Sequence, residues 1–571
     1  MSATPKGWSV QRWVYAKVVE IFGADLRSLA TFRIVLALLA LSDLANRATD
    51  LTAHYTDAGV ISRTVLTQQV LSPSAFSLDL MNGGAVFQAL LFGVAALAAL
   101  GMLVGYRTRL MTFVVWVVLL SIQLRNPLVN GSESPLLRML FFWGMLLPLG
   151  AYWSVDRVRS ALPRPSPRFL SLATFGLFLQ IAFVYWFTAA LKSGPEWRAD
   201  YTALYYVLSL DQIATPIGHF LLNFPTLLQV LTFGTFMLEA IGPLLLFCPF
   251  FTGLVRTGTA LAFMSLHFGI WLTMDIGIFP WISAFCMVCF FPTWFWEKAS
   301  TLQSWLLQRF EFARRLQLAT ARLAHAIVAF FQAVLSFLMD ARQLLFASPA
   351  VQGGPLAAHT ANGTMPLAAG ATGLGETAVE RETRHDDVPT EEPEPVELWS
   401  SLATNLLAFF FIFYILCWNL TTVTSFTLPE RAVPLGSFLG LDQYWGMFAP
   451  SPSKEDGWYV IPGKLGDGQQ VDLMPITRDD YSMHRVSYEK PQDIPATYKN
   501  EHWRKYLENI YMQTHANQRL YFGQYICRQW NARHTGADTL KTFRIVYMLE
   551  MTLPDYQQPE LEKVDIWNHK C

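Results

Sequence analysis

Residues 169–191 (FLSLATFGLFLQIAFVYWFTAAL) contain no charged side chain, and Lys192 follows at once. A helix rises about 1.5 Å per residue, so a run of this length crosses the roughly 30 Å hydrocarbon layer of a bilayer. Comparable apolar runs occupy residues 29–46, 85–105, 110–128, 135–150, 227–250, 253–274, 277–296 and 402–423. Nine segments of this kind predict a mainly α, polytopic transmembrane helical bundle, although 135–150 is short for a span. The composition agrees: 53% hydrophobic and 15% charged residues, with a mean hydropathy of +0.29, are too apolar for a soluble chain of this length.

A net charge of −1 and a pI near 6.8 leave no basic field of the kind that holds nucleic acid, which is excluded as a partner. Membrane lipid is the expected surrounding partner. The first apolar run begins only at residue 29, behind an amphipathic stretch, so residues 1–28 read as an interfacial segment with no cleavable leader. Basic residues mark alternate loops: Lys6, Arg12, Lys17 and Arg27; Arg107 and Arg109; Arg157, Arg159, Arg164 and Arg168; Lys298, Arg309, Arg314 and Arg315. The positive-inside rule then puts the N-terminus in the cytoplasm and Lys192 at the outer end of the fifth span.

Residues 29–297 form the bundle and 298–348 an amphipathic helical region. Residues 349–397, rich in small residues and ending in VPTEEPEPV, read as a disordered linker. A last transmembrane helix at 398–425 leads to an extracytoplasmic C-terminal domain, 426–571. Its hairpin signal at Gly466-Asp467-Gly468, helical stretches at 501–510 and 516–530 and alternation over 543–549 predict a small α+β fold. Of six cysteines, Cys248, Cys286, Cys289 and Cys417 lie in apolar runs and read as small buried residues; the single CxxC is weak evidence for metal, and none is predicted. Cys527 and Cys571 are able to pair if their domain faces an oxidising compartment.

Charges inside spans are costly and face the bundle interior or a wet cavity. Arg33 and Glu239 fall at one depth in the inner half and are expected to form a structural ion pair. Asp43, Arg138 and His267 fall in the outer half, with Lys192. Two readings of Lys192 stand: an anchor snorkelling at the interface, or an amine whose desolvation makes it a base. His267 is either a satisfied buried histidine or a group orienting substrate, with Asp275 in the turn that follows. The loop 125–133 (RNPLVNGSE), with Arg125 and Asn130, is either a cover for a cavity mouth or an ordinary polar turn. No GxGxxG, Walker A, HExxH or GxSxG motif stands where its chemistry needs it, so nucleotide use and covalent hydrolysis are unsupported.

Landmarks over the first 296 residues resemble the HTTM (horizontally transferred transmembrane) family, which includes the vitamin K-dependent γ-carboxylases. They are Tyr152-Trp153-Ser154-Val155-Asp156; Leu100-Gly101-Met102 with Gly105-Tyr106-Arg107; Tyr185-Trp186-Phe187-Thr188-Ala189-Ala190-Leu191-Lys192 with Trp197 beyond; and His267 with Ile276-Gly277 and Phe279. The resemblance implies that Lys192 is the general base and His267 a second catalytic position. Arg138 or Arg125 would steady negative charge, and Asn130, Trp197 and Asp275 would be substrate-binding. It implies a reduced quinone of the vitamin K type as cofactor and a peptide or protein as carboxylation substrate. The chain departs from the carboxylase pattern where Leu191 replaces the first lysine of a doublet, where residues 129–135 lack a histidine, and in a much shorter C-terminal domain. Leu441-Asp442-Gln443-Tyr444-Trp445-Gly446-Met447-Phe448-Ala449-Pro450 looks like bacterial HTTM proteins, which implies a multi-pass protein of a bacterial inner membrane. The alternative is a noncatalytic membrane scaffold or lipid- or quinone-binding protein.

Overall fold

Asp25 starts the first long helix, its carboxylate accepting from the backbone N–H of Arg27, and Ser171 starts another through a reciprocal capping box with Thr174. These are helices of a computed structural model that describes residues 10–312 except 162 and 164, positions 314, 315, 317–319 and 322, and residues 400–571 except 555, 556, 558 and 559. The chain divides into two compact units, 1–305 with 396–571, and 306–395. The linker expected at 349–397 and most of the amphipathic region 298–348 lie outside the described residues.

The longer helices of the first unit begin with α1 (Val10–Phe22), α2 (Leu26–Ala48), α3 (Ala85–Val104), α4 (Thr108–Arg125), α5 (Glu133–Gly144), α6 (Leu172–Leu191), α7 (Pro225–Leu246), α8 (Thr252–Thr273) and α9 (Phe279–Cys286). Then come α10 (Thr293–Arg309), which runs across the boundary between the units, and, again in the first unit, α11 (Leu402–Val423). Among the described residues six helices are long and apolar enough to cross a membrane: α2, α3, α4, α6, α7 and α11. The six helices and the nine apolar runs differ at three places. The run 135–150 folds as α5, only 12 residues and buried along nearly its whole length, too short to span. The run 277–296 is broken: after α9 a tight turn at Met287–Phe290 leads to a 94° bend before α10, where Pro292 forces Phe291 out of helical geometry. Counted as one span, that bent pair makes a seventh. The run 253–274 keeps its length as α8, but Arg256, His267 and its threonines dilute its apolar character.

The C-terminal domain is a five-stranded antiparallel sheet with two helices. Its strands are β1 (Glu455–Val460), β2 (Pro462–Leu465), β3 (Gln470–Asp472), β4 (Leu540–Met551) and β5 (Glu560–Lys570), and its helices α12 (Glu501–Tyr511) and α13 (Gln518–Asn531). β4 is the centre: β5 pairs along one side, β1 and then β2 along the other, and β3 continues beyond β2. Trp503, Tyr506, Trp530 and Ile545 fill the core. Cys527 of α13 is disulfide-bonded to Cys571, just beyond β5.

The segment after α11 binds this domain to the bundle end that carries Lys192. Arg138 donates to the carbonyl of Gly440 at 2.6 Å, Thr188 to that of Trp445, and the Trp197 indole to that of Phe448 at 2.9 Å. A side chain at Gly440 (φ +62°) would strike Leu120 and Arg138, so only glycine allows the chain this close. From α12, Asn509 donates to the carbonyl of Leu128, tying the domain to the loop after α4.

Candidate functional site

Lys192 caps the C-terminal end of α6, its backbone N–H bonded to Thr188. Gly194 and Pro195 then turn the chain into the short helix Pro195–Arg198, which brings Trp197 back over the lysine. The ammonium lies 4.0 Å from the centroid of the Trp197 ring. It donates at 2.8 and 2.6 Å to the two carboxylate oxygens of Glu239, from the interior of α7. Only 3% of Lys192 and 8% of Glu239 are exposed, so the amine faces inward and does not snorkel.

Tyr185 lies two helical turns before Lys192, on the same face of α6. Its hydroxyl is 2.9 Å from Nε2 of His267 on α8, and Nδ1 of that buried histidine has no partner. Which group donates follows the tautomer: where the Tyr185 hydroxyl donates to Nε2, the imidazole proton stands on Nδ1 as a free donor.

Lys192, Glu239, Trp197, Tyr185 and His267 all line one cavity of about 980 Å³. Its wall at this end is apolar, with Leu228 and Leu231 of α7 and Ile270 of α8. Charge gathers where the C-terminal domain contributes Glu501, Arg504, Lys505 and Glu508 of α12, and where Glu133 opens α5. Burial raises Glu501 above the usual carboxylate range despite Arg504 beside it. Burial also acts on Glu508, but Lys505 and Arg504 outweigh it and hold that carboxylate low. Asp456 of β1 lines the cavity as well; burial, with Asp211 alongside, pushes it up to about 6.

Of the residues singled out from sequence, Lys192, His267 and Trp197 come together here. Arg33 and Glu239 do not pair: Glu239 is taken by Lys192, while the Arg33 guanidinium donates to the carbonyls of Leu149, Tyr152 and Trp153. Equal depth put the two in reach of one another, but loop carbonyls with no intrahelical partner satisfy the guanidinium more fully. Arg138, Arg125 and Asn130 lie outside the cavity lining and are engaged by the protein itself. Arg138 binds Gly440, Asp442 and Gln123; Arg125 binds the carbonyl of Ile61 and Asp57; Asn130 bridges Arg47 and Gln123. Asp275 is exposed and also outside the lining, its backbone N–H held by Ile213. The loop 125–133 reaches the cavity only through Gly131, Ser132 and Glu133.

Sequence reasoning missed Glu239 as the partner of Lys192, Tyr185 as the partner of His267, and the contribution of α12. Only the last left a local signal: the spacing of Glu501, Arg504, Lys505 and Glu508 is that of helical ion pairs. Cys286 and Cys289 are free, buried thiols, as expected, whereas Cys248 and Cys417 are free but only half-buried.

Residues 23–296 match the family described as the HTTM domain, a domain found in vitamin K-dependent gamma-carboxylase-like proteins. No curated protein and no solved structure matches the chain.

Proposed function

We propose that this chain, whose residues 23–296 match the HTTM domain, is an integral-membrane enzyme of the carboxylase-like family in which Lys192 is the general base. The reaction class is quinol-coupled carboxylation of a peptide or protein substrate. The observation that carries this reading is the inward-facing Lys192–Glu239 pair, sharing one large, mostly apolar cavity with His267.

The residues present fit a reduced quinone. The apolar wall suits a ring and isoprenoid tail, and the unpartnered Nδ1 of His267 is a buried donor for an oxygen. Leu231 of α7 and Leu272 of α8 line the cavity and are also exposed, which supports entry between these helices from lipid. When bound, such a group supplies the oxygen-driven chemistry that makes a strong base.

What the chain supplies is proton handling. In a buried pair, proton transfer from Lys192 Nζ to Glu239 converts two charges into two neutral groups and removes their desolvation cost. Nζ then holds a lone pair and Glu239 the proton. The Trp197 ring face lies against the amine, and Glu239 stands in place to take its proton. The charged rim on α12 and Glu133 suits a polar peptide, held where the C-terminal domain closes the cavity. With the N-terminus in the cytoplasm of a bacterial inner membrane, this rim faces the oxidising side, in keeping with the Cys527–Cys571 disulfide.

A second reading, a noncatalytic lipid or quinone binder, draws on the fact that Lys192 is already fully paired. The test is full-length protein in nanodiscs with reduced quinone, bicarbonate and a Glu-rich peptide. Wild type is expected to oxidise the quinol and carboxylate the peptide, and Lys192→Ala to do neither. Activity surviving in Lys192→Ala would sink the base assignment, and saturable quinone binding with no turnover would establish the binder.

A further inference from the structure

Asp211 follows the short helix Ala203–Leu208 on the HTTM side, whereas Asp456 and Glu550 stand directly opposite each other on β1 and β4 of the C-terminal sheet. A carboxylate oxygen from each lies within 4.8 Å of the other two. Like charges directly opposed across a ladder are destabilising unless something neutralises them.

Among the described residues, Lys490 and His219 are the cationic side chains paired with this cluster. Lys490 bridges Asp211 and Glu550 at 2.5 Å each, and His219 contacts Asp211 at 3.0 Å. Neither is paired with Asp456. One oxygen of that carboxylate accepts the backbone N–H of Asp211; the other, Oδ1, is buried and has no hydrogen-bond partner among the described residues, in a residue only 2% exposed. Three carboxylates against the one ammonium give a formal charge of −2 among these four groups.

We propose that Asp211, Asp456 and Glu550 bind a hard divalent cation of the calcium class, which ties the HTTM domain to the C-terminal sheet. An all-oxygen anionic donor set suits such an ion. Metal–oxygen bonds of about 2.3–2.6 Å place ligands on opposite sides of calcium roughly 5 Å apart, so these three oxygens fit around one ion. Binding displaces Lys490, whose side chain is 40% exposed and free to swing into water. Its ammonium lies 6.0 Å from the centroid of the Trp458 ring, so the arriving ion comes within energy-transfer range of an indole. This proposal does not depend on the carboxylase reading.

The experiment uses the full-length protein in detergent, washed with chelator, and terbium as a luminescent probe excited through tryptophan. Wild type is expected to give a saturable signal that calcium competes away. Asp456→Asn and Glu550→Gln should each weaken calcium competition about tenfold or more, since affinity follows ligand charge. Lys490→Gln should tighten binding by removing the competing ammonium, and this variant keeps all three ligands if the carboxylate variants fold poorly. No sensitised signal in either wild type or Lys490→Gln would overturn the proposal. So would weaker binding in Lys490→Gln, or unchanged affinity in both carboxylate variants.

Discussion

Lys192 and Glu239, 47 positions apart in the chain, meet as a buried ion pair between α6 and α7, with both carboxylate oxygens engaged. This contact closes one side of the cavity and ties two helices together. The lysine's charge, its reach toward the cavity and the packing of its helix are thereby one structural fact.

Removing one partner leaves an uncompensated buried charge, at a cost of about 3–5 kcal/mol. Glu239→Leu and Lys192→Met should each lower the unfolding temperature markedly, whereas the double variant should recover most of the loss. A double-mutant cycle by tryptophan-fluorescence melting checks this; additive losses would mean the pair does not couple.

Tyr185→Phe removes the hydroxyl that orders the His267 ring while leaving the aromatic packing against Phe263. Quinone affinity, read by fluorescence quenching in nanodiscs, should fall about tenfold, the equivalent of one hydrogen bond to a fixed donor. His267→Leu should fall at least as far, and equal affinity in all three proteins would remove the histidine from the binding site.

Asp79, between α2 and α3, is wholly buried and neither carboxylate oxygen has a partner. Burial raises its pKa to about 7 against the pull of Arg125. A carboxyl raised in the folded state binds its proton more tightly there than when unfolded. Its contribution to stability is therefore full below about pH 4 and is lost as pH climbs through about 7, by about 4 kcal/mol in all. Asp79→Asn should flatten this slope and melt higher than wild type at pH 8, with the gap closing at pH 5.

The Cys527–Cys571 bond closes a sequence separation of 44. Chain-entropy arguments put its worth at about 4 kcal/mol. Cys571→Ser should lower the denaturant midpoint of the C-terminal domain, whereas the wild-type protein under reducing agent should match the variant. A variant as stable as oxidised wild type would show that the sheet holds β5 without the bond.

The membrane class, the long helices and the α+β tail were legible because each is written in local composition. The landmarks around Lys192 and His267 marked two residues that share the cavity. Arg33 meets loop carbonyls instead of Glu239, and Arg138, Arg125 and Asn130 fall outside the cavity lining; a buried arginine or asparagine looks the same in sequence whether it serves a ligand or a loop carbonyl. The short α5 and the break after α9 looked like spans because hydropathy registers burial in protein and burial in lipid alike.

Hydropathy and loop charge, read along the chain, determined that this protein lives in a bilayer and that Lys192 ends one of its helices. Those properties belong to single segments and need no partner. Tertiary structure alone decided that Glu239 holds the lysine, that Tyr185 sets the His267 ring, and that Asp211 meets Asp456 and Glu550 from more than two hundred residues away. Contacts of this kind depend on how helices and sheet pack, and a charge in a sequence does not say which distant charge will neutralise it.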